Sequence, residues 1–341
     1  MSLQRISTFG SHTILTGWMM DVQERIHDRQ IQLTSEKRSQ DYGGIADDSY
    51  RLINLENKVK MAKKYIDTNN SAATKMQTME TSLKAVDGSL RGFKQELAKF
   101  KADGPDDPNN VNYIQQRAWE TLQDLQSFLN VKLDGQYLFA GSRTDTQPVA
   151  LPATDLANFQ AQYDIDPATG GISSFPSTRS GHTALTGYYY RGDNQEVEHR
   201  TDESRSIKIG LNANDPAIEK AMRGLLMIAQ GGMQDFETNS PTIVDDAISL
   251  IVDSLEHDNT VNENSSDLSY MRHTLGVNAA TVARTISEHK ELVGLSESRI
   301  SKLENADPLE TATLLNDDLN SLQVSYTAFA KIRNLTLASY I

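Results

Sequence analysis

Apolar side chains recur every three or four residues near both ends of the chain. The first stripe consists of Ile14, Leu15, Trp18, Met19, Val22 and Ile26. The second stripe consists of Leu315, Leu319, Leu322, Tyr326 and Phe329, and Leu335, Leu337 and Tyr340 follow it. Spacing of this kind predicts two amphipathic helices. Because the second stripe has no polar stop signal, we expect the two helices to pack on each other and on neighbouring copies of the chain.

The start of the second terminal helix is clearly marked. Asp307 is a suitable cap, Pro308 suits the first helical position, and Glu310 stands three residues after the cap. Together they form the pattern of a capping box. The sequence therefore predicts that this helix begins at about residue 308.

Long helical patterns also fill the regions next to the terminal helices. We predict helices at about 50–101, 110–133, 242–256 and 266–303, with a turn at 102–108. Asn69 is a polar member of the apolar seam in the first of these helices. We interpret it as a tolerated residue at the edge of the seam, with a role in setting register as the alternative.

Between the helical halves the chain is rich in Pro, Gly and short β-type runs. We predict strands at about 137–140, 188–190, 195–199 and 206–211, and a closing helix at 216–230 capped by Asp215.

The predicted fold class is therefore mainly α with a β-rich insert, in which a long antiparallel helical rod is built from both chain ends. We expect residues 1–45 with 307–341 to form a terminal helix pair, 46–140 with 236–306 the helical rod, and 141–235 the insert.

Composition narrows the possible functions. The 341 residues carry a formal net charge of -13 and include no cysteine. This balance argues against a nucleic-acid partner, and the short basic cluster at 58–64 is interpreted as a solvated helix face. Thiolate chemistry, disulfides and cysteine-ligated zinc are excluded. Neither a cleaved secretory signal nor a run of about 18 apolar residues is found, so we expect no membrane insertion.

No motif predicts catalysis. The seven histidines lack the helical spacing of a metal pair, and no nucleophile elbow, phosphate loop or dinucleotide fingerprint occurs. We therefore predict no catalytic, cofactor-binding or metal-binding residues and no enzymatic activity. Glu196 and Glu198 are interpreted as a hydrated strand face. The Arg191-Gly192-Asp193 tripeptide is interpreted as a hairpin turn and not as an adhesion signal.

One segment carries a family resemblance. It runs from Gly135 to Asp145 and includes Gly135, Tyr137, Leu138, Phe139, Ala140 and Gly141. It resembles the segment that follows the second rod helix in the hook-associated protein 3 family of the bacterial flagellum. The end of the chain, 319–341, is similar to the terminal helix that this family shares with flagellins, and 189–194 resembles part of its insert domain.

The resemblance implies a structural subunit of the flagellum that joins the hook to the filament. Expected partners are other copies of the chain in a ring, hook-associated protein 1, flagellin and an export chaperone. The expected location is extracellular, at the hook-filament junction, after export without a cleaved signal peptide. The two apolar stripes would form the assembly interface. A filament-forming flagellin is the nearest alternative, and a sugar-binding or enzymatic insert that uses the aromatic run 188–190 is a more distant one.

Overall fold

A computed structural model describes residues 2–103, 107–164, 189–233, 243–257 and 265–338. It divides the chain into two compact units. Residues 1–64 with 289–341 form the first unit, and residues 65–288 form the second. The three-part division expected from the sequence places its boundaries elsewhere and stays a prediction.

Helices dominate the described residues, and the named strands form two short hairpins, which confirms the mainly α fold class with a small β part. In chain order, the α-helices are α1 (Ser2–Ser35), α2 (Ala46–Asp103), α3 (Pro108–Leu129), α4 (Leu156–Gln162), α5 (Pro216–Ala229), α6 (Ile243–Leu255), α7 (Leu268–Glu304) and α8 (Pro308–Ala338). The strands are β1 (Lys132–Leu133), β2 (Gln136–Tyr137), β3 (Glu198–Arg200) and β4 (Ser206–Lys208). A single 3-10 turn, Gly43–Ile45, precedes α2.

The core of the second unit is built on the apolar seam of α2. From this helix, Met76, Met79, Leu83, Val86, Leu90, Phe93 and Leu97 are all buried. They belong to one cluster with the inner faces of α3 and α7. Three- and four-residue spacing places these side chains on one side of the helix, as the sequence predicted.

Asn69 corrects the sequence interpretation, because it is fully buried and does not lie at the edge of the seam. Its Nδ2 donates to the carbonyl of Thr201 at 3.0 Å. Its Oδ1 lies 2.7 Å from Nε2 of His199. Burial, and secondarily Lys75, lowers the pKa of His199. A buried amide is retained where both of its ends find partners, and these partners come from around β3.

Helix α5 lies at the centre of the second unit. Each of its residues from Ala217 to Ala229 is buried, including Glu219, Lys220 and Arg223. Lys220 pairs with Asp253 of α6, and Arg223 pairs with Glu219 one turn earlier. These charges are retained in the interior because each has an ionic partner. Asp215 caps the helix as predicted and accepts from the amide of Ala217.

The hairpins are shorter than the predicted strands. Strands β1 and β2 pair antiparallel, as do β3 and β4. Isolated bridges join Ala140 to Asn212 and Val149 to Tyr190. Tyr188, which was expected to begin a strand, lies outside the described residues.

Candidate assembly interface

The first and last helices of the chain pack against each other. Val22 and Ile26 of α1 are each 8% exposed. Polar contacts flank them, because Gln23 Nε2 donates to the Tyr326 hydroxyl at 2.9 Å, and Arg25 pairs with Asp318 of α8 at 3.0 Å. The predicted pairing of the two terminal helices within one chain is thus present.

A short link fixes this pair at one end. Backbone hydrogen bonds join Arg38 N to Glu304 O at 2.7 Å and Ala306 N to Glu36 O at 3.0 Å. At the start of α8, the Asp307 carboxylate accepts from the amides of Leu309 at 2.9 Å and Glu310 at 3.3 Å. The predicted cap is therefore confirmed, and it sets where α8 begins.

The predicted interface residues fall into classes of different burial. Val22 and Ile26 are buried, and five others are half-buried: Leu15, Met19, Leu315, Leu322 and Phe329. Four remain exposed, namely Ile14, Trp18, Leu319 and Tyr326, with Trp18 at 64%. Leu335 and Leu337 belong to α8 but their side chains are not described, and Tyr340 lies outside the described residues. The helix pair thus covers only part of the two apolar stripes.

Three large apolar residues were missed by the stripe analysis. Met20 on α1 and Leu309 and Val324 on α8 are strongly exposed. None of them continues a stripe that faces the partner helix, so periodicity gave no signal for them. The contact between Arg25 and Asp318 was also missed, because two oppositely charged residues 293 positions apart are not recognisable as a pair in the sequence.

The family-like segment begins with a tight hairpin. Leu133 pairs with Gln136 and Lys132 with Tyr137, so only Asp134 and Gly135 lie between the strands. Both have positive φ, 51° and 78°, which is the geometry of a type I′ turn. The helix predicted at 110–133 therefore ends earlier, at Leu129, and the Asp-Gly dipeptide is the local signal for the turn.

The rest of the segment is clamped by a loop around Asp193. Phe139 and Ala140 are fully buried. Asp193 N donates to Ala140 O at 3.1 Å. The Asp193 carboxylate accepts from the amide of Ser142 at 2.7 Å and from its hydroxyl. These hydrogen bonds, the hydroxyl first, lower the pKa of Asp193. Gly141 has φ +69°, and a Cβ there would meet the backbone oxygen of Asp193 at 2.3 Å. The segment therefore has a structural role.

The Arg191-Gly192-Asp193 tripeptide is not the predicted hairpin turn. Tyr190 pairs with Val149, about forty residues earlier in the chain, and not with a residue that follows the tripeptide. The Arg191 amide donates to Pro148 O at 2.9 Å. The Asp193 carboxylate is held by Ser142, so it has a structural contact within the chain.

Two residues of the aromatic run 188–190 belong to the hydrophobic core. Tyr189 and Tyr190 are buried, and Tyr189 donates its hydroxyl to Ala213 O at 3.1 Å. Burial raises the pKa of Tyr190. Neither ring offers a platform for a sugar. On the predicted strand face, Glu196 forms an ion pair with Lys208.

Within the described ranges, no group of three His, Asp or Glu side chains is placed to hold a metal ion. None of the helices in these ranges is long and apolar enough to span a membrane.

No family model and no curated protein matches this chain. Among solved structures, a flagellar hook-associated protein from Vibrio parahaemolyticus is similar at 14% identity and a TM-score of 0.49, over 74% of this chain and 96% of the other. FlgL from Bacillus cereus is similar at 12% identity and a TM-score of 0.42, over 76% and 99%. Flagellar hook-associated protein 3 from Legionella pneumophila is similar at 12% identity and a TM-score of 0.35, over 82% and 98%. Each likeness is distant.

Proposed function

We propose that this protein is a structural subunit of the bacterial flagellum that joins the hook to the filament, assembling through its paired terminal helices. The observation that carries the proposal is the α1–α8 pair, which leaves Ile14, Trp18, Leu319 and Tyr326 exposed. Large apolar side chains exposed along one surface mark a site of association. The resemblance of 135–145 and 319–341 to the hook-associated protein 3 family supports the junction role.

The role is mechanical and involves no chemical step. Torque must pass between two helical lattices, and many lateral contacts along terminal helices give a stiff joint without covalent bonds. Neighbouring copies would complete the stripes of α1 and α8. Hook-associated protein 1 on one side, flagellin on the other and an export chaperone before assembly are the partners we infer for the chain, which would act outside the cell.

The decisive variant is Leu322→Asp/Phe329→Asp. Both side chains are half-buried in the single chain, and assembly would bury them further. A carboxylate in such a seam costs several kcal/mol unless it finds a partner. We expect the second unit to stay folded by circular dichroism, while ring formation and swimming are lost in cells that lack the wild-type protein.

The matched control is Ser321→Asp/Thr327→Asp, which adds the same charge at exposed positions of the same helix. It should keep assembly and motility. Swimming cells carrying the Leu322/Phe329 variant would refute the proposed role. Electron microscopy of overexpressed wild-type protein separates the junction role, with rings or short oligomers, from the flagellin alternative, with long filaments.

A further inference from the structure

The charge of the chain is divided unevenly between the two units. Residues 1–64 with 289–341 contain 15 Lys and Arg against 15 Asp and Glu, so the first unit is formally neutral. Residues 65–288 contain 18 against 31 and hold the whole formal charge of -13. Within the first unit, a stretch of α2 is rich in basic residues and a stretch of α8 is rich in acidic residues, so their charges largely cancel. Each stretch also exposes large apolar side chains.

The first block is on α2. Residues 51–64 contain five basic residues and one acidic residue. Tyr50, Ile53 and Met61 are 79%, 41% and 49% exposed, on the side of α2 opposite the buried Leu52 and Ala62. Exposed lysines at 58, 60 and 64 flank them. We call this the basic face, and it is about 16 Å long at 1.5 Å per residue.

The second block is on α8. Residues 304–330 contain five acidic residues and no Lys or Arg. Leu309 and Val324 are 78% and 67% exposed. Together with the exposed Glu310 and Asp317, they lie on the side of α8 opposite the seam that packs on α1. We call this the acidic face, and it extends over about 22 Å.

We propose that the basic face of one copy binds the acidic face of a second copy. Each face combines apolar side chains with charges of one sign, and the signs are opposite, which favours one register and opposes pairing of like faces. The two surfaces differ, so the contact is heterologous. Contacts of this type continue from copy to copy and produce a ring or a helical array. This inference rests on the proposed self-assembly and names a second surface for it, on the far side of α8 from the terminal seam.

Isotope-coded cross-linking tests the pairing directly. An equal mixture of ¹⁴N and ¹⁵N chains would be assembled and treated with a carbodiimide, which joins amines to carboxylates at contact distance. We expect mixed-isotope peptide pairs that link Lys58 or Lys60 to Glu310 or Asp317. The proposal would be overturned if the expected links were absent and these lysines were instead linked to carboxylates within residues 65–288 of another copy.

Charge exchange provides the second test. Lys58→Glu/Lys60→Glu makes both faces of a copy acidic, and Glu310→Lys/Asp317→Lys makes both basic. Each variant alone should associate at least about tenfold more weakly in sedimentation velocity. An equal mixture should recover wild-type association, because the acidic α2 face of one variant meets the basic α8 face of the other. Recovery on mixing also shows that neither variant is misfolded.

The matched control is Lys84→Glu/Lys99→Glu, which makes the same charge change at exposed positions elsewhere on α2 and should associate normally. If both face variants assemble like the wild type while Leu322→Asp/Phe329→Asp does not, the charged-face contact is wrong and the terminal-helix interface stands. A wild-type chain that remains monomeric at every concentration overturns both.

Discussion

Asn69→Ala would remove a buried amide that joins α2 to the segment around β3. The Thr201 carbonyl would lose a 3.0 Å hydrogen bond, and His199 Nε2 would lose its 2.7 Å partner. Thr201 is fully buried, so water cannot replace the lost donor. Leaving one buried carbonyl unsatisfied costs about 1–3 kcal/mol, and the second lost bond costs about 1 kcal/mol. We therefore expect the free energy of unfolding of the second unit to fall by about 2–4 kcal/mol.

The assay needs a signal from the second unit alone. The chain has two tryptophans, and Trp119 is buried in this unit, where it stacks on Phe159 at a centroid distance of 5.3 Å. In a Trp18→Phe background, urea unfolding followed by fluorescence reports only on Trp119. The matched control is Asn70→Ala at the neighbouring exposed position, because both changes raise helix propensity equally.

A double-mutant cycle with His199→Ala isolates one of the two bonds. We expect a coupling energy of about 1 kcal/mol between positions 69 and 199. If the free energies of unfolding of Asn69→Ala and Asn70→Ala differ by less than about 0.5 kcal/mol, the Asn69 side chain does not stabilise the contact between α2 and β3. That result would refute the reasoning from burial and geometry.

Two further predictions concern stability, both measured by the same Trp119 fluorescence. Gly135→Ala should lower the free energy of unfolding by about 1 kcal/mol because of its positive φ alone. Gly141→Ala should cost about 1–3 kcal/mol more, because its Cβ would meet the backbone oxygen of Asp193 at 2.3 Å. Equal losses for the two variants would contradict the close contact between Gly141 and Asp193. Lys220→Met should cost about 3–5 kcal/mol because it removes the ammonium group that pairs with the buried Asp253 carboxylate. The exposed Lys84→Met control should cost less than about 0.5 kcal/mol. A loss below about 1 kcal/mol for Lys220→Met would show that the ion pair is not needed.

Long periodic segments were predictable to within a few residues. The helix expected at 50–101 spans Ala46–Asp103, and the one at 266–303 spans Leu268–Glu304. Many turns of consistent spacing average out local exceptions. The strands were predicted less accurately, since strands of only two or three residues contain too few alternations of apolar and polar residues to be recognised. The Asp134-Gly135 dipeptide is the local sequence signal of the two-residue turn between β1 and β2.

Which polar side chains are buried could not be predicted from the sequence, for a different reason. Glu219, Lys220 and Arg223 resemble the exposed face of a helix until the partner from α6 is known, and Asp253 lies 33 residues from Lys220. Asn69 is satisfied by residues about 130 positions away. A polar side chain is placed inside a core only by partners that arrive through tertiary folding. The same limit hid the contact between Arg25 and Asp318 at the terminal helices.

The contrast between the two units implies that the proposed association would be cooperative. Helix α5 is surrounded on every side, whereas the α1–α8 pair buries only two side chains of the first apolar stripe. Further burial of the five half-buried residues at about 1 kcal/mol each, and of the four exposed ones at about 2 kcal/mol each, would supply at most about 13 kcal/mol for one contact. Association costs about 4–15 kcal/mol in lost freedom. A single contact is therefore marginal, and only a copy that touches several neighbours at once is held firmly. A contact between the charged faces, added to the terminal seam, meets that condition. The second contact costs little further translational and rotational freedom, because the first contact has already restricted the two copies.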